Sequence, residues 1–369
     1  MALCHETVTV KTYRPSIAML RYFNLRTNHM KSFLKKALVI GAIALAPSAY
    51  AVEMTGAGSS FIYPVLSKWA ESYKAKSGDG LNYQSIGSGG GIKQIKAKTV
   101  DFGATDAPMS FDDLQSNGMV QFPAIIGGVV VVVNIEGVGP NQLKLSGDLL
   151  SDIFQGSVTD WSDKRVALLN PGMKIPTGPI TVVTRADGSG TTAIFTSFLS
   201  KASSNFKEAV GFGAQVKWPA ASTVSGKGNE GVAANVARIK NSIGYVEYAY
   251  AKKNNLSYTQ VRNADGVMVS PTAEAFAAAS AGTDWSKFPG MNTFITYAAG
   301  AKSWPITGAT FVVLYKKPEN KSQAAAVLKF FDYSFKDGKK AASELDYVPM
   351  PDATVNYIRK QVWSQVDTK

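Results

Sequence analysis

Four times along this chain a run of glycines and hydroxyl residues stands directly in front of a segment with helical spacing. The runs are TGAGSSF from Thr55, IGSGGGI from Ile86, ADGSGTT from Ala186 and SGKGNEGV from Ser225. Between and around them lie extended apolar segments, at Leu81–Ile86, Ile125–Ile135, Ile180–Thr184, Ile243–Tyr248 and Phe311–Tyr315. Helical periodicity occupies Phe61–Tyr73, where Val65, Leu66, Trp69 and Tyr73 share a face, and recurs at Thr192–Leu199 and Gln323–Phe335. Strands that alternate with helices predict an α/β fold with mostly parallel sheets flanked by helices. In such folds ligands sit at the carboxyl ends of strands, where helix N-termini present unpaired N–H groups and the positive end of the helix dipole. Taken singly, each turn is an ordinary βα loop, because glycine is common there. Converging, they form a pocket of neutral donors that holds a dianion without several full counter-charges. Two better-known motifs do not fit. Gly226-Lys227 is followed by Gly228 rather than Ser or Thr, so it is not a nucleotide P-loop, and GSGGGI has Ile92 where a dinucleotide loop needs its third glycine.

Residues 30–51, MKSFLKKALVIGAIALAPSAYA, carry the three parts of a secretory signal. Lys31, Lys35 and Lys36 form the basic start, Ala37–Ala46 an apolar run too short to span a bilayer, and Ala49-Tyr50-Ala51 a cleavage site. Residues 1–29 show no periodicity and precede Met30, so they read as an upstream extension, not translated or disordered. The mature chain is then expected to begin at Val52, and its length suggests two domains. The only Cys, Cys4, and the only two His, His5 and His29, all lie before Met30. Without imidazole or thiol the mature chain lacks Ser–His or Cys–His nucleophile pairs and Cys/His zinc sites, so neither a catalytic residue nor a metal or cofactor is expected. The same absence removes a lipid-anchored cysteine, so the exported product is expected to be soluble and periplasmic. The whole chain has a net charge of +12, and residues 1–51 account for seven basic side chains and one acid of it. That leaves 32 basic against 26 acidic residues, or +6, a mild excess that favours an anionic ligand. The basic residues are dispersed, with no polybasic block or aromatic-basic stripe, so nucleic acid is not an expected partner.

The richest stretch is TRADGSGTT, residues 184–192. Arg185 offers a planar donor fork suited to an oxyanion, the glycines allow close backbone approach, and Ser189, Thr191 and Thr192 add hydroxyls. Only Asp187 does not donate. Ser189 is a poor nucleophile, since no histidine is available to activate it and DGSGT lacks the G-x-S-x-G elbow.

Taken together, the blocks TGAGSSF, YQSIGSGGGIKQI, VDFGATDAP, FPAIIGGVVVVVN, TRADGSGTT, VKWP, GKGNEG, IGYVEYAYAKKNNL, WPIT and LKFFDYSF closely resemble the periplasmic phosphate-binding proteins of bacterial ABC-type phosphate transporters. The resemblance runs from about Met54 to about Pro351. It implies a type II-like periplasmic binding fold of two lobes, each a mostly parallel sheet flanked by helices, with two chain crossings at the hinge. It implies no enzymatic activity. It implies one inorganic phosphate as the ligand, held between the lobes and handed to the transmembrane permease subunits by a protein that is a monomer before docking. The implied phosphate contacts are Ser59, Ser60 and Phe61 in the first loop, Ser88 in the second, Asp106, and then Arg185, Ser189, Gly190 and Thr191. Asp187 is implied to pair with Arg185 and hold its fork. In this family the position of Ser60 is commonly Thr, so the hydroxyl is retained here.

Asp106 is the one acceptor in this set. As a plain residue before Ala107-Pro108 it reads as a turn or cap aspartate. As a ligand contact it has a sharper role. Phosphate near neutral pH still carries a proton that a carboxylate accepts, and sulfate carries none. This argues against the alternative ligand, another tetrahedral oxyanion such as sulfate. The crossings are expected near Ile126–Gly128 and Pro305–Thr307, where the glycine pair would absorb hinge motion. They divide the chain into a first lobe of residues 52–126 plus 307–369 and a second of residues 127–306.

Overall fold

The computed structural model describes residues 51–369. The upstream extension 1–29 and the signal segment 30–51, Ala51 excepted, lie outside the described residues, as do Cys4, His5 and His29.

The main strands are β1 (Glu53–Gly58), β2 (Gly80–Ser85), β3 (Phe102–Thr105), β4 (Met119–Asn134), β5 (Thr181–Arg185), β6 (Thr223–Gly226), β7 (Ser242–Glu247) and β8 (Thr307–Tyr315). Their spatial order is β2–β1–β3–β8–β4–β7–β5–β6. Two parallel blocks result, β2–β1–β3 at one end and β7–β5–β6 at the other. The pairs between them, β3–β8, β8–β4 and β4–β7, are antiparallel, so the sheet as a whole is mixed. The antiparallel strands β4 and β8 run side by side through the middle of the sheet, between the two parallel blocks. This is the two-lobed binding fold that the alternating pattern and the resemblance led us to expect.

β4 is the backbone of the molecule. From Met119 to Val133 every residue is buried, and Val129–Val133 is apolar on both faces, as a central strand requires. As far as Gly128 it pairs with β8, Gly127 opposite Gly308 and Gly128 opposite Thr307. From Val129 it pairs with β7 instead, starting opposite Glu247. The structure gives Gly127 and Gly128 a packing role. A Cβ on Gly127 would fall 2.9 Å from the Phe61 ring, and one on Gly128 would collide with the Phe276 ring. Neither glycine has a positive φ.

All four glycine-rich turns open helices, here α1 (Tyr63–Ser77), α2 (Ser88–Lys96), α3 (Gly190–Ala202) and α4 (Gly228–Arg238). α1 starts with Pro64 in its first turn, where a missing N–H costs nothing, and ends at Gly78 in the left-handed region with φ +84°. It buries the face Val65, Leu66, Trp69 and Tyr73. In α3 every residue from Gly190 to Leu199 is buried, so this helix is a core element whose N-terminus points into the interior. The stretch Trp285–Met291 leaves its sequence neighbours and packs on β4 and β8. Gln121 donates to the Gly290 carbonyl at 2.9 Å, and the Trp285 and Phe311 rings meet at 5.6 Å.

Candidate anion-binding site

Each predicted site residue stands just past the carboxyl end of a parallel strand or in the first turn of the helix that follows. Ser59, Ser60 and Phe61 follow β1, Ser88 opens α2 after β2, and Asp106 follows β3. Arg185 ends β5, Ser189 caps α3, and Gly190 and Thr191 begin it. The two groups come from opposite ends of the sheet and meet in the interior. All of the side chains are buried, Asp106 at 2% exposure and Arg185 at 8%. Close approach needs glycine at two places. Gly87 has φ +83°, and a Cβ there would strike the Asp187 carboxylate. A Cβ on Gly190 would run into Ser88 Oγ and lie 2.5 Å from Asp106 Oδ2.

Donors and acceptors of the two groups satisfy one another. Ser88 Oγ accepts from the Asp106 and Gly190 N–H groups, both at 3.1 Å, and its own proton makes only a long bond of 3.4 Å to Asp106 Oδ2. Ser189 Oγ caps α3 by accepting from Thr192 N–H at 3.0 Å, so its proton is available. Arg185 Nε and Nη2 clasp Asp187 at 2.9 and 2.5 Å, and Gly228 N–H donates to the same carboxylate at 2.9 Å. The pairing of Arg185 with Asp187 is therefore present, and it leaves Nη1, 3.3 Å from Thr191 Oγ1, facing the other donors. The Ser59 hydroxyl donates to Asp106 Oδ1 at 2.5 Å and accepts from Phe61 N–H at 3.0 Å, so Ser59, implied above as a phosphate contact, is instead engaged with the acceptor.

Asp106 is the electrostatic exception in the cluster. Burial pushes its carboxyl up to about 6, although hydroxyls of Ser59 and Thr310, the Arg185 charge and Ser88 all pull the other way. Asp187 is half-buried, yet the bonds and charge of Arg185 outweigh its desolvation and hold it below the usual carboxylate range.

Sequence reasoning missed three kinds of participant. Thr310, from β8, donates to Asp106 Oδ1 at 2.6 Å. Asn229, in α4, reaches Ser60 Oγ with both its backbone N–H (3.1 Å) and its amide (2.9 Å), and its amide also reaches Thr191. Asn229 lies in the fourth glycine-rich turn, so that signal was present without a residue assigned to it. Three tyrosines reach the successive carbonyls of the first loop. Tyr83 donates to Ser59 and Tyr347 to Phe61, at 2.8 and 2.6 Å, and the Tyr250 hydroxyl lies 2.8 Å from both the Ser60 carbonyl and the Glu230 carboxylate. With its carbonyls tied back, the loop turns its N–H and hydroxyl groups inward. No sequence pattern announces such distant partners.

Two α/β lobes on either side of two adjacent strands, with helix N-termini from both converging on a buried arginine and a single carboxylate acceptor, define a solute-binding protein of the periplasmic binding type. Consistent with this, residues 45–337 match the PBP superfamily domain. Relatives similar to the chain are a phosphate-binding protein PstS of Pasteurella multocida, 50% identical over 330 residues and covering 89% of this chain and 95% of that one, and one of Haemophilus influenzae, 49% identical over 327 residues and covering 89% and 97%. The fold is also similar to that of a phosphate ABC transporter substrate-binding protein from Clostridium perfringens. That match has a TM-score of 0.59 at 19% identity and covers 81% of this chain and all of the other. The chain belongs to this family of phosphate-binding proteins.

Proposed function

We infer that this protein binds inorganic phosphate in the cleft between its lobes and delivers it to the membrane subunits of an ABC-type phosphate transporter. The observation that carries this reading is one buried acceptor, Asp106, set among donors. Arg185, Ser60, Ser88, Ser189 and Thr191 supply protons, Phe61 and Gly190 supply backbone N–H groups, and Asp106 takes the proton that phosphate retains and sulfate lacks. A site that uses a buried polar group in this way discriminates by about 10⁴–10⁵, because the wrong ligand leaves that group unpaired. The contacts present across the cleft are those an anion would exchange for its own oxygens, which makes the closed arrangement the one a ligand favours.

We take the lobes as residues 52–126 plus 307–369 and residues 127–306, with Trp285–Met291 laid back on the first lobe. We read the protein as a periplasmic binding protein rather than an enzyme. Among the described residues there is no histidine to activate Ser189, since both histidines precede Met30. Isothermal titration of the purified protein with phosphate and with sulfate tests the reading. Phosphate should bind and sulfate should not. Arg185→Ala removes the guanidinium's charge-assisted bonding to the anion, worth about 1.5–3 kcal/mol per bond, and leaves Asp187 unpaired beside it, so phosphate affinity should fall by at least one such bond. Near-parent affinity in that variant would remove Arg185 from the site.

A further inference from the structure

A carboxylate offers two oxygens, and the sequence does not say which of them an anion meets. In the structure the two oxygens of Asp106 are unequal. Oδ1 receives the Ser59 hydroxyl at 2.5 Å and the Thr310 hydroxyl at 2.6 Å. Oδ2 has only the Ser88 hydroxyl, at 3.4 Å, and it is the oxygen that faces the open side of Gly190. Ser59 and Thr310 are completely buried. Thr310 reaches this place beside an irregular point of the β4–β8 ladder, where Ala124 of β4 is left without a partner. The β4–β8 register shifts between Thr310 and Phe311, where Pro123 stands opposite Phe311. Proline has no N–H for the ladder and is accommodated inside a sheet at such a bulge, a feature that re-aims neighbouring side chains.

We propose that Thr310 and Ser59 are positioning residues for anion selectivity: their two protons occupy Oδ1, so that Oδ2 alone meets the ligand, as an unprotonated acceptor. This rests on phosphate being the ligand of the cleft. A hydroxyl donating to Oδ1 stabilises the carboxylate over the acid. Without those donors Asp106 keeps its own proton to higher pH. Protonated, it donates, and a donor accommodates sulfate as readily as phosphate. The other charged or titratable groups facing Asp106 are Arg185 at the end of β5, Tyr83 in β2 and Tyr347. Burial holds both phenols well above their ordinary range, so they stay neutral while Asp106 titrates.

The test is calorimetric competition of sulfate against inorganic phosphate over a pH series. In the parent, sulfate should compete only on the acid side, where Asp106 is protonated. Thr310→Val and Ser59→Ala should each move the pH at which sulfate begins to compete upward by about one unit, the shift expected from losing one hydrogen bond to a charged group. Thr310→Ser, which keeps the hydroxyl, should stay with the parent. A merely structural role would weaken both anions alike and leave that pH in place, and this result in the two variants overturns the proposal. Ser59 lies in a loop, so Ser59→Ala carries the test even if Thr310→Val does not fold. Phosphate binding by the parent judges the ligand assignment separately. A parent that ignores phosphate removes that assignment, and a parent that binds it with an unmoved sulfate threshold in the variants removes only the positioning role.

Discussion

Asp106 is a buried acid whose carboxyl is pushed up to about 6 from an ordinary 3.8. The folded, unliganded protein therefore holds a proton there that the unfolded chain has already lost between about pH 4 and 6. Its contribution to stability is complete below the unfolded value and is lost as the pH rises through the folded one. Asp106→Asn has no such slope. Relative to the parent, the variant's thermal stability without ligand should improve from acid to neutral pH, by an amount on the order of a few kcal/mol. Parallel stability–pH curves for the two proteins would show that Asp106 titrates normally. Residue identity made Arg185 and the glycines and hydroxyls of TRADGSGTT legible as an oxyanion cradle, while the role of Asp187 and the other contacts came from the resemblance. The partners of Asp106 were not legible. Thr310 lies 204 positions away in sequence and sits in a strand that reads only as apolar.

At the scale of elements, the glycine-rich turns do two separable jobs. They start helices, and they let the two halves of the site touch. Gly190 shows the difference. It lies in the first turn of α3 without a positive φ, so alanine suits its backbone and should favour the helix by about 0.5–1 kcal/mol. The added methyl, however, would run into Ser88 Oγ and Asp106. Overpacking costs about 1–3 kcal/mol and outweighs that gain, so Gly190→Ala should melt at or below the parent while phosphate affinity drops at least about tenfold, since side chains on two elements must move to admit a Cβ at this distance. Unfolding and titration on the same preparation check this. A variant that binds normally would mean that the two halves do not close as tightly as drawn. Helix starts were readable in the sequence because capping and glycine chemistry is local. The bulge opposite Pro123 was not read, although the proline was visible, because a bulge depends on which strand lies alongside.

For the molecule as a whole, we expect processing at the Ala51–Val52 bond, so that N-terminal sequencing of protein recovered from the periplasm begins VEMTG. Recovery of a mature product that retains Cys4 or His29 would defeat the argument that the working chain has neither thiol nor imidazole. The alternation of strands with helices, the α/β class, the donor-rich loops and their anionic preference follow from the sequence by itself, because periodicity, glycine and charge act over a few residues. Only the tertiary structure decided that β4 changes partner from β8 to β7 at Gly128, that Gly127 and Gly128 make room for aromatic rings, and that three tyrosines and Asn229 lock the first loop. It also decided which oxygen of Asp106 faces the cleft. These depend on contacts between residues tens to hundreds of positions apart, whose pairing is fixed by how the whole core packs and leaves no local mark in the chain.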